Sequence, residues 1–145
     1  MNINDELGDF HVHFVAMASK RLDAVPLLLL HGWPGSFLEF LPVIDRLRKK
    51  YCPDDLPYHI VVPSLPGYAF SSPPPLDREF GIEDVARLMN QLMLDLGYGA
   101  GYMSQGGDVG SKVARVIAAK HDECRGKKSP YNRSTQLLTH DSNSQ

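Results

Sequence analysis

The 145-residue chain has only two cysteines, Cys52 and Cys124. They are too few for a disulfide framework, and their spacing is not that of a metal site. No apolar run reaches the ~20 residues of a membrane-spanning helix. Basic side chains are not in excess: 15 Lys and Arg face 17 Asp and Glu, a formal charge of −2. Without a basic surplus there are no counterions to release, which excludes a general nucleic-acid binder. Residues Met1 to Phe10 carry Asp5, Glu6 and Asp9 and lack the apolar stretch of a signal peptide, so a cytoplasmic protein is expected. What is present is ordinary for one globular domain, with 43% hydrophobic and 22% charged residues.

That average joins two unlike segments. Residues 1–124 hold 11 basic and 16 acidic side chains; residues 125–145 hold four basic residues and one acid. The second segment has only Tyr131, Leu137 and Leu138 as sizeable apolar groups, too few to offset the entropy of ordering it. A patterned body over 1–124 and a polar, basic, disordered tail over 125–145 are expected.

The body alternates two periodicities. Phe10 to Val15 alternates as a strand, Val25 to Leu30 is a short apolar run suited to a buried strand, and Tyr58 to Val62 is a third strand stopped by Pro63. Ser36 to Lys50 has an apolar helical face, with Pro42 delaying or kinking the helix. Ile82 to Leu96 is the clearest helix, with Glu83 and Asp84 in its first turn and Gly97 closing it. Leu65 to Pro75 reads as loop, Gly101 to Ser104 as a weak strand, and Val109 to Lys120 as the last helix. Strands alternating with helices predict an α/β fold, a mostly parallel sheet with helices on both faces.

Between the weak strand and the last helix lies Gln105-Gly106-Gly107-Asp108-Val109-Gly110-Ser111. This is the pattern of a nucleophile elbow, in which a sharp strand-to-helix turn holds the central residue in a strained conformation. Gly106 and Gly110 let the two arms pass closely. The nucleophile would then stand at the carboxyl end of the sheet, where open α/β folds bind ligands. Its identity, Asp108, is chemically informative. A carboxylate attacking a saturated carbon of an epoxide or alkyl halide forms an ordinary ester, whereas attack on an ester would form an anhydride, uphill. A helix N-terminus keeps such a carboxylate ionised.

The second motif, His31-Gly32-Trp33-Pro34-Gly35, directly follows the Val25–Leu30 strand. A tight loop there can aim backbone N–H groups at the elbow. When water attacks the carbonyl carbon of an Asp108 ester, charge grows on Asp108's own oxygen, and the N–H groups of Trp33 and Val109 are the natural donors. Taken singly, Gly107-Asp108 is a helix cap and Trp33 a core anchor; the pairing of the two motifs in this order favours the site. His31 is read as orienting its loop and not as a general base. His11, His13 and His59 are read as strand positions, because no third metal ligand accompanies the first two.

With these residues the sequence resembles the epoxide hydrolases of the α/β-hydrolase superfamily, most closely the microsomal-type branch. The resemblance rests on Leu27 to Ser36, Val62 to Tyr68, Gly81 to Leu96 and Gln105 to Ser111, and runs from about the N-terminus to Cys124. It implies the N-terminal part of an α/β-hydrolase fold. It further implies an Asp108 nucleophile, Trp33 and Val109 amides as oxyanion hole, and hydrolysis of a small-molecule epoxide to a vicinal diol through a covalent ester, with no metal or organic cofactor. The alternative, a haloalkane dehalogenase, shares the Asp elbow, but that family typically has Trp after the nucleophile, and here the position is Val109.

The family mechanism also uses two cap-domain tyrosines, and a His with its acidic partner, downstream of the elbow. Only Tyr131, His121 and His140 follow here, none at a credible place: His121 lies about 20 Å along the helix. From Arg125 onward the family pattern stops, and Gly126-Lys127 can be encoded by GGT-AAG, the consensus start of an intron. The chain is therefore read as a truncated product lacking cap and C-terminal strands, inactive by itself. A second reading is a non-catalytic product associating with a full-length relative.

Overall fold

A computed structural model describes residues 1–127. Leucine at each position from Leu27 to Leu30 demands burial of both faces of a strand. Strand β4 (Val25–Leu30) meets that demand at the centre of a five-stranded sheet. Leu28 and Leu30 face a core shared with helices α2 (Ile82–Asp95) and α3 (Asp108–Lys120). Leu27 and Leu29 face a second core with Phe37, Ile44 and Leu47, from a 3-10 turn over Phe37–Phe40 and helix α1 (Leu41–Lys50). The sheet is thus covered on both sides, and each fully buried leucine contributes about 1.5–3 kcal/mol.

The sheet order is β3-β5-β4-β6-β7, with β3 (Phe14–Met17), β5 (Tyr58–Pro63), β6 (Tyr102–Gly106) and β7 (Cys124–Lys127). Only β3 runs antiparallel; the β5–β4, β4–β6 and β6–β7 pairs are parallel. The β4–β6 register pairs Leu30 with Gly106, which sets the loops leaving these strands side by side.

Several expectations change in detail. The alternating stretch Phe10–Val15 is not one strand. It is split between β2 (Gly8–His11), paired with β1 (Asn2–Asp5) in a separate antiparallel hairpin, and β3 in the main sheet. The break is held by loop serines: Ser72 Oγ accepts from His11 N–H, and Ser71 Oγ accepts from His13 N–H, at 2.9 and 3.0 Å. Bonds of that kind come from residues about 60 positions away, so local periodicity does not report them. The expected helix over Ser36–Lys50 opens as a 3-10 turn capped by Ser36, and its α-helical part starts at Leu41 with Pro42 in the first turn. Proline is tolerated there because no N–H is needed.

Arg125, Gly126 and Lys127, expected to belong to the tail, instead extend the sheet as part of β7. The pairing is backbone hydrogen bonding to β6, which polar side chains do not prevent. Residues 128–145, with the remainder of that expectation and with Tyr131 and His140, lie outside the described residues. Among the described residues no helix is long and apolar enough to cross a membrane.

The hairpin is clamped to α2 by charge. Arg87 bonds both oxygens of Asp5, at 2.8 and 2.9 Å, and also meets Asp84 at 2.9 Å and Glu6 at 3.2 Å. Asp84 in turn accepts from Gly81 N–H at 2.8 Å, capping α2.

Candidate active site

Asp108 is the first residue of α3 and has a φ of +47°, one of two non-glycine residues in the left-handed region among the described residues. Such a conformation costs of order 1–3 kcal/mol and persists only where surroundings impose it. The glycines show what imposes it. A Cβ on Gly106 would collide with the backbone of Gly110, and one on Gly110 with the carbonyl oxygens of Leu30 and His31. The strand arm, the helix arm and the end of β4 therefore touch backbone to backbone. Gly107 N–H also donates to Leu30 O at 3.3 Å, and Ser111 Oγ donates to Asp108 O at 2.6 Å, bracing the turn from both sides.

The carboxylate of Asp108 is exposed and meets the loop that follows β4. Trp33 N–H donates to Asp108 Oδ2 at 3.0 Å, and the N–H of Val109 also bonds the carboxylate. These bonds, Val109's first and Trp33's second, hold the carboxyl below its ordinary value, with Lys112 adding a favourable charge. Gly32 is required by the approach: a Cβ there would lie 2.7 Å from Asp108 Cβ and 2.9 Å from both Asp108 Oδ2 and Gly107 O. Trp33 is 71% exposed, so its side chain is not the core anchor that the residue taken singly would suggest. Its amide is turned inward to Asp108, which sends the side chain outward. Pro34 is exposed and Gly35 half-buried in the same loop; a Cβ on Gly35 would meet the Glu39 carboxylate.

His31 is fully buried and is not bonded to Asp108. Its Nε2 accepts from Leu65 N–H at 3.1 Å, and its ring packs edge-on against Tyr68 with centroids 4.9 Å apart. Burial pushes its proton affinity down, against smaller opposing effects of the Gly32 carbonyl and the Glu39 charge. Sequence reasoning missed the receiving loop, Ser64 to Ser72, as part of this assembly. Its signal was Pro66-Gly67 after β5, read as loop and as part of the resembling stretch Val62 to Tyr68, without a contact to the His31 loop. The other histidines lie elsewhere: His13 Nδ1 pairs with Ser64 Oγ at 2.9 Å, His11 Nδ1 with Asn2 Oδ1 at 3.0 Å, and His59 Nδ1 accepts from Ser19 N–H at 3.2 Å. His121 caps the far end of α3. Among the described residues no group of His, Cys, Asp and Glu is arranged to hold a metal ion. A cleft of about 380 Å3 between β3 and α1, lined by Val15, Met17, Ile44 and Arg48, shares no residue with this site.

A strained acidic residue on a strand-to-helix elbow, facing the loop of the neighbouring parallel strand, defines a class. The α/β hydrolase fold profile matches residues 25–126, and the chain belongs to that family. The profile of the epoxide hydrolase N terminus matches residues 1–40.

Individual relatives narrow the likeness to epoxide hydrolases. The structure of the Aspergillus niger epoxide hydrolase superposes with a TM-score of 0.83 at 48% identity, covering 95% of this chain and 37% of that one. Juvenile hormone epoxide hydrolase from Bombyx mori gives 0.72 at 36% identity, covering 83% and 32%. A Dothistroma septosporum protein provisionally named an epoxide hydrolase is 48% identical over 125 residues, 86% of this chain and 30% of its own. The chain thus spans about 30% of the length of that curated relative.

Proposed function

We propose that this chain carries the nucleophilic half of an epoxide hydrolase site, with Asp108 as nucleophile. The observation that carries the reading is the Trp33 N–H at 3.0 Å from Oδ2 of an aspartate held at φ +47°. Oδ2 is engaged by the Trp33 amide, the Val109 amide also favours the ionised carboxylate, and the oxygen that Trp33 does not hold is left to attack. Attack on an epoxide carbon forms a C–O bond and breaks the ring C–O bond; the alkoxide takes a proton from solvent water, which becomes hydroxide, leaving a 2-hydroxyalkyl ester on Asp108. Water adding to the ester carbonyl would then place negative charge on the oxygen facing the Trp33 amide, with the Val109 amide proposed as the second donor, where it is stabilised as it forms. Collapse releases the diol and returns the carboxylate. Val109 supplies no side-chain donor to a leaving halide, which favours epoxide over halide.

The second step needs a base. Among the described residues the Asp108 carboxylate is bonded only by backbone N–H groups. The ester is therefore expected to form and to persist, so the chain as given is a stoichiometric acceptor and not a turnover enzyme. Incubating the 145-residue chain with a terminal aryl epoxide and measuring intact mass tests this. One added epoxide mapping to Asp108, absent in Asp108→Ala, is expected. An unmodified Asp108 at saturating epoxide refutes the nucleophile assignment; multiple turnovers refute the stoichiometric reading. Co-purification with a full-length relative, without any adduct, would instead support a non-catalytic partner.

A further inference from the structure

We propose that Lys112 selects the substrate: the site at Asp108 takes epoxides that carry a carboxylate about the width of one benzene ring from the reacting carbon, and the Lys112 ammonium holds that carboxylate. The inference rests on the reading of Asp108 as nucleophile and names the class of epoxide it attacks.

Helix α3 sorts its residues by face. Gly110, Val113, Ala114 and Ile117 are buried, whereas Asp108, Lys112 and Arg115 are exposed. The exposed three are spaced i, i+4 and i+7, which places them on one stripe of the helix. Helical side chains lean toward the N-terminus, so the Lys112 stem runs back over the first turn toward Asp108. Asp108 lies about 6 Å back along the axis, a span that a flexible four-carbon stem covers.

The charges on this face run against those of the body. Residues 1–124 carry 11 basic and 16 acidic side chains. On α3 the sole acid is Asp108 itself, against Lys112, Arg115 and Lys120. Lys120 is paired with Glu83 at 2.6 Å. Among the described residues Lys112 and Arg115 form no ion pair. Lys112 nonetheless acts on the nucleophile: after the N–H groups of Val109 and Trp33, its charge favours the ionised carboxylate. It does so without closing on Asp108 as a salt bridge, so the three donors of its ammonium stay open to a second anion.

On the loop side of the site stands Glu39, whose carboxylate lies against Gly35 and whose charge reaches His31. An anionic substituent is therefore repelled from the loop and drawn toward α3. A carboxylate-bearing epoxide is also repelled by Asp108 itself. A cation placed where the substituent ends offsets that repulsion and fixes the orientation of the epoxide; a neutral epoxide gains nothing from it.

The test compares two epoxides on the full 145-residue chain: styrene oxide with a para-carboxylate, and the methyl ester of the same compound, which lacks the charge. Intact mass at low salt follows the rate of adduct formation at Asp108. Lys112→Gln is expected to slow the carboxylate about tenfold more than it slows the ester, a double ratio in which the intrinsic reactivities of the two epoxides cancel. An ionic strength of about 1 M, where the screening length is about 3 Å, is expected to remove most of that difference. Lys120→Gln removes the same charge about 18 Å from Asp108 along the helix and is expected to leave the double ratio near one. A double ratio near one in Lys112→Gln, or an equal effect in both variants, overturns the proposal and leaves Lys112 a solvated surface lysine. If neither epoxide forms an adduct, the nucleophile reading fails, and binding of the corresponding carboxylate diol judges Lys112 by itself. In 15N NMR spectra the Asp108 to Lys112 amides are expected to shift saturably with that diol, not with its methyl ester, and not in Lys112→Gln. The same response to both diols, or a response that survives the substitution, refutes the assignment.

Discussion

Substituting Gly32 by alanine asks whether the approach of two loops is the device that aims Asp108. The added Cβ would fall 2.7 Å from Asp108 Cβ and 2.9 Å from Oδ2 and from Gly107 O, whereas ordinary contact begins at 3.4 Å. Either loop must retreat by about 0.5–0.7 Å to relieve the three contacts. Two of these are backbone or Cβ atoms, which cannot swing aside as a long side chain does. The Trp33 N–H bond, now 3.0 Å, would stretch past 3.5 Å if the retreat lies along it, which ends it as a hydrogen bond. Catalytic groups tolerate displacements of only about 0.5 Å, and a misplacement of about 1 Å costs on the order of a hundredfold. Adduct formation at Asp108 should therefore fall tenfold to a hundredfold, about 1.4–2.8 kcal/mol in barrier. A time course of intact mass with a terminal aryl epoxide measures this, and circular dichroism separates it from unfolding. Full reactivity in a folded Gly32→Ala chain would refute the argument that this contact sets the geometry of Asp108.

The Arg87 clamp yields a stability prediction. Asp5→Ala leaves Arg87 without its bidentate partner. Since the Asp5 side chain is only 6% exposed, the loss is expected at about 2–3 kcal/mol, between values for surface and buried pairs. A denaturant midpoint unchanged from the parent chain would show the clamp to be ornamental. The same clamp fixes a pH dependence. Arg87 first, then the Leu7 amide, lower Asp5 against burial. The Gly81 amide and Arg87 lower Asp84. Their contribution is present above the unfolded carboxylate value of about 3.9 and is lost as pH falls through the lower folded values. Tyr102→Phe removes a buried hydroxyl bonded to Asn90 Oδ1 at 2.6 Å, and should cost about 1–2 kcal/mol in thermal unfolding because the amide oxygen stays buried without its donor. A melting curve that matches the parent chain would argue that water replaces the hydroxyl.

The sequence alone determined those features that depend on neighbours along the chain. Leucine at each position of 27–30 dictates a strand buried on both faces, and the stripe from Ile82 to Leu96 dictates a helix. Glycines at 106 and 110 around Asp108 dictate a turn no bulkier residues could make. These are local steric and hydrophobic statements, and they sufficed for the fold class and for the family. The tertiary structure decided what depends on residues far apart. The split of Phe10–Val15 between two sheets follows from bonds to Ser71 and Ser72. The strand at Arg125–Lys127 follows from an open edge of β6 that accepts any backbone. The outward Trp33 indole follows from an amide turned toward a carboxylate 75 positions away. The link from His31 to Leu65 is likewise a contact between the ends of two adjacent parallel strands, β4 and β5, and no periodicity encodes it. Register across the sheet, which pairs Leu30 with Gly106, is the physical reason that two separate glycine-rich motifs become one site.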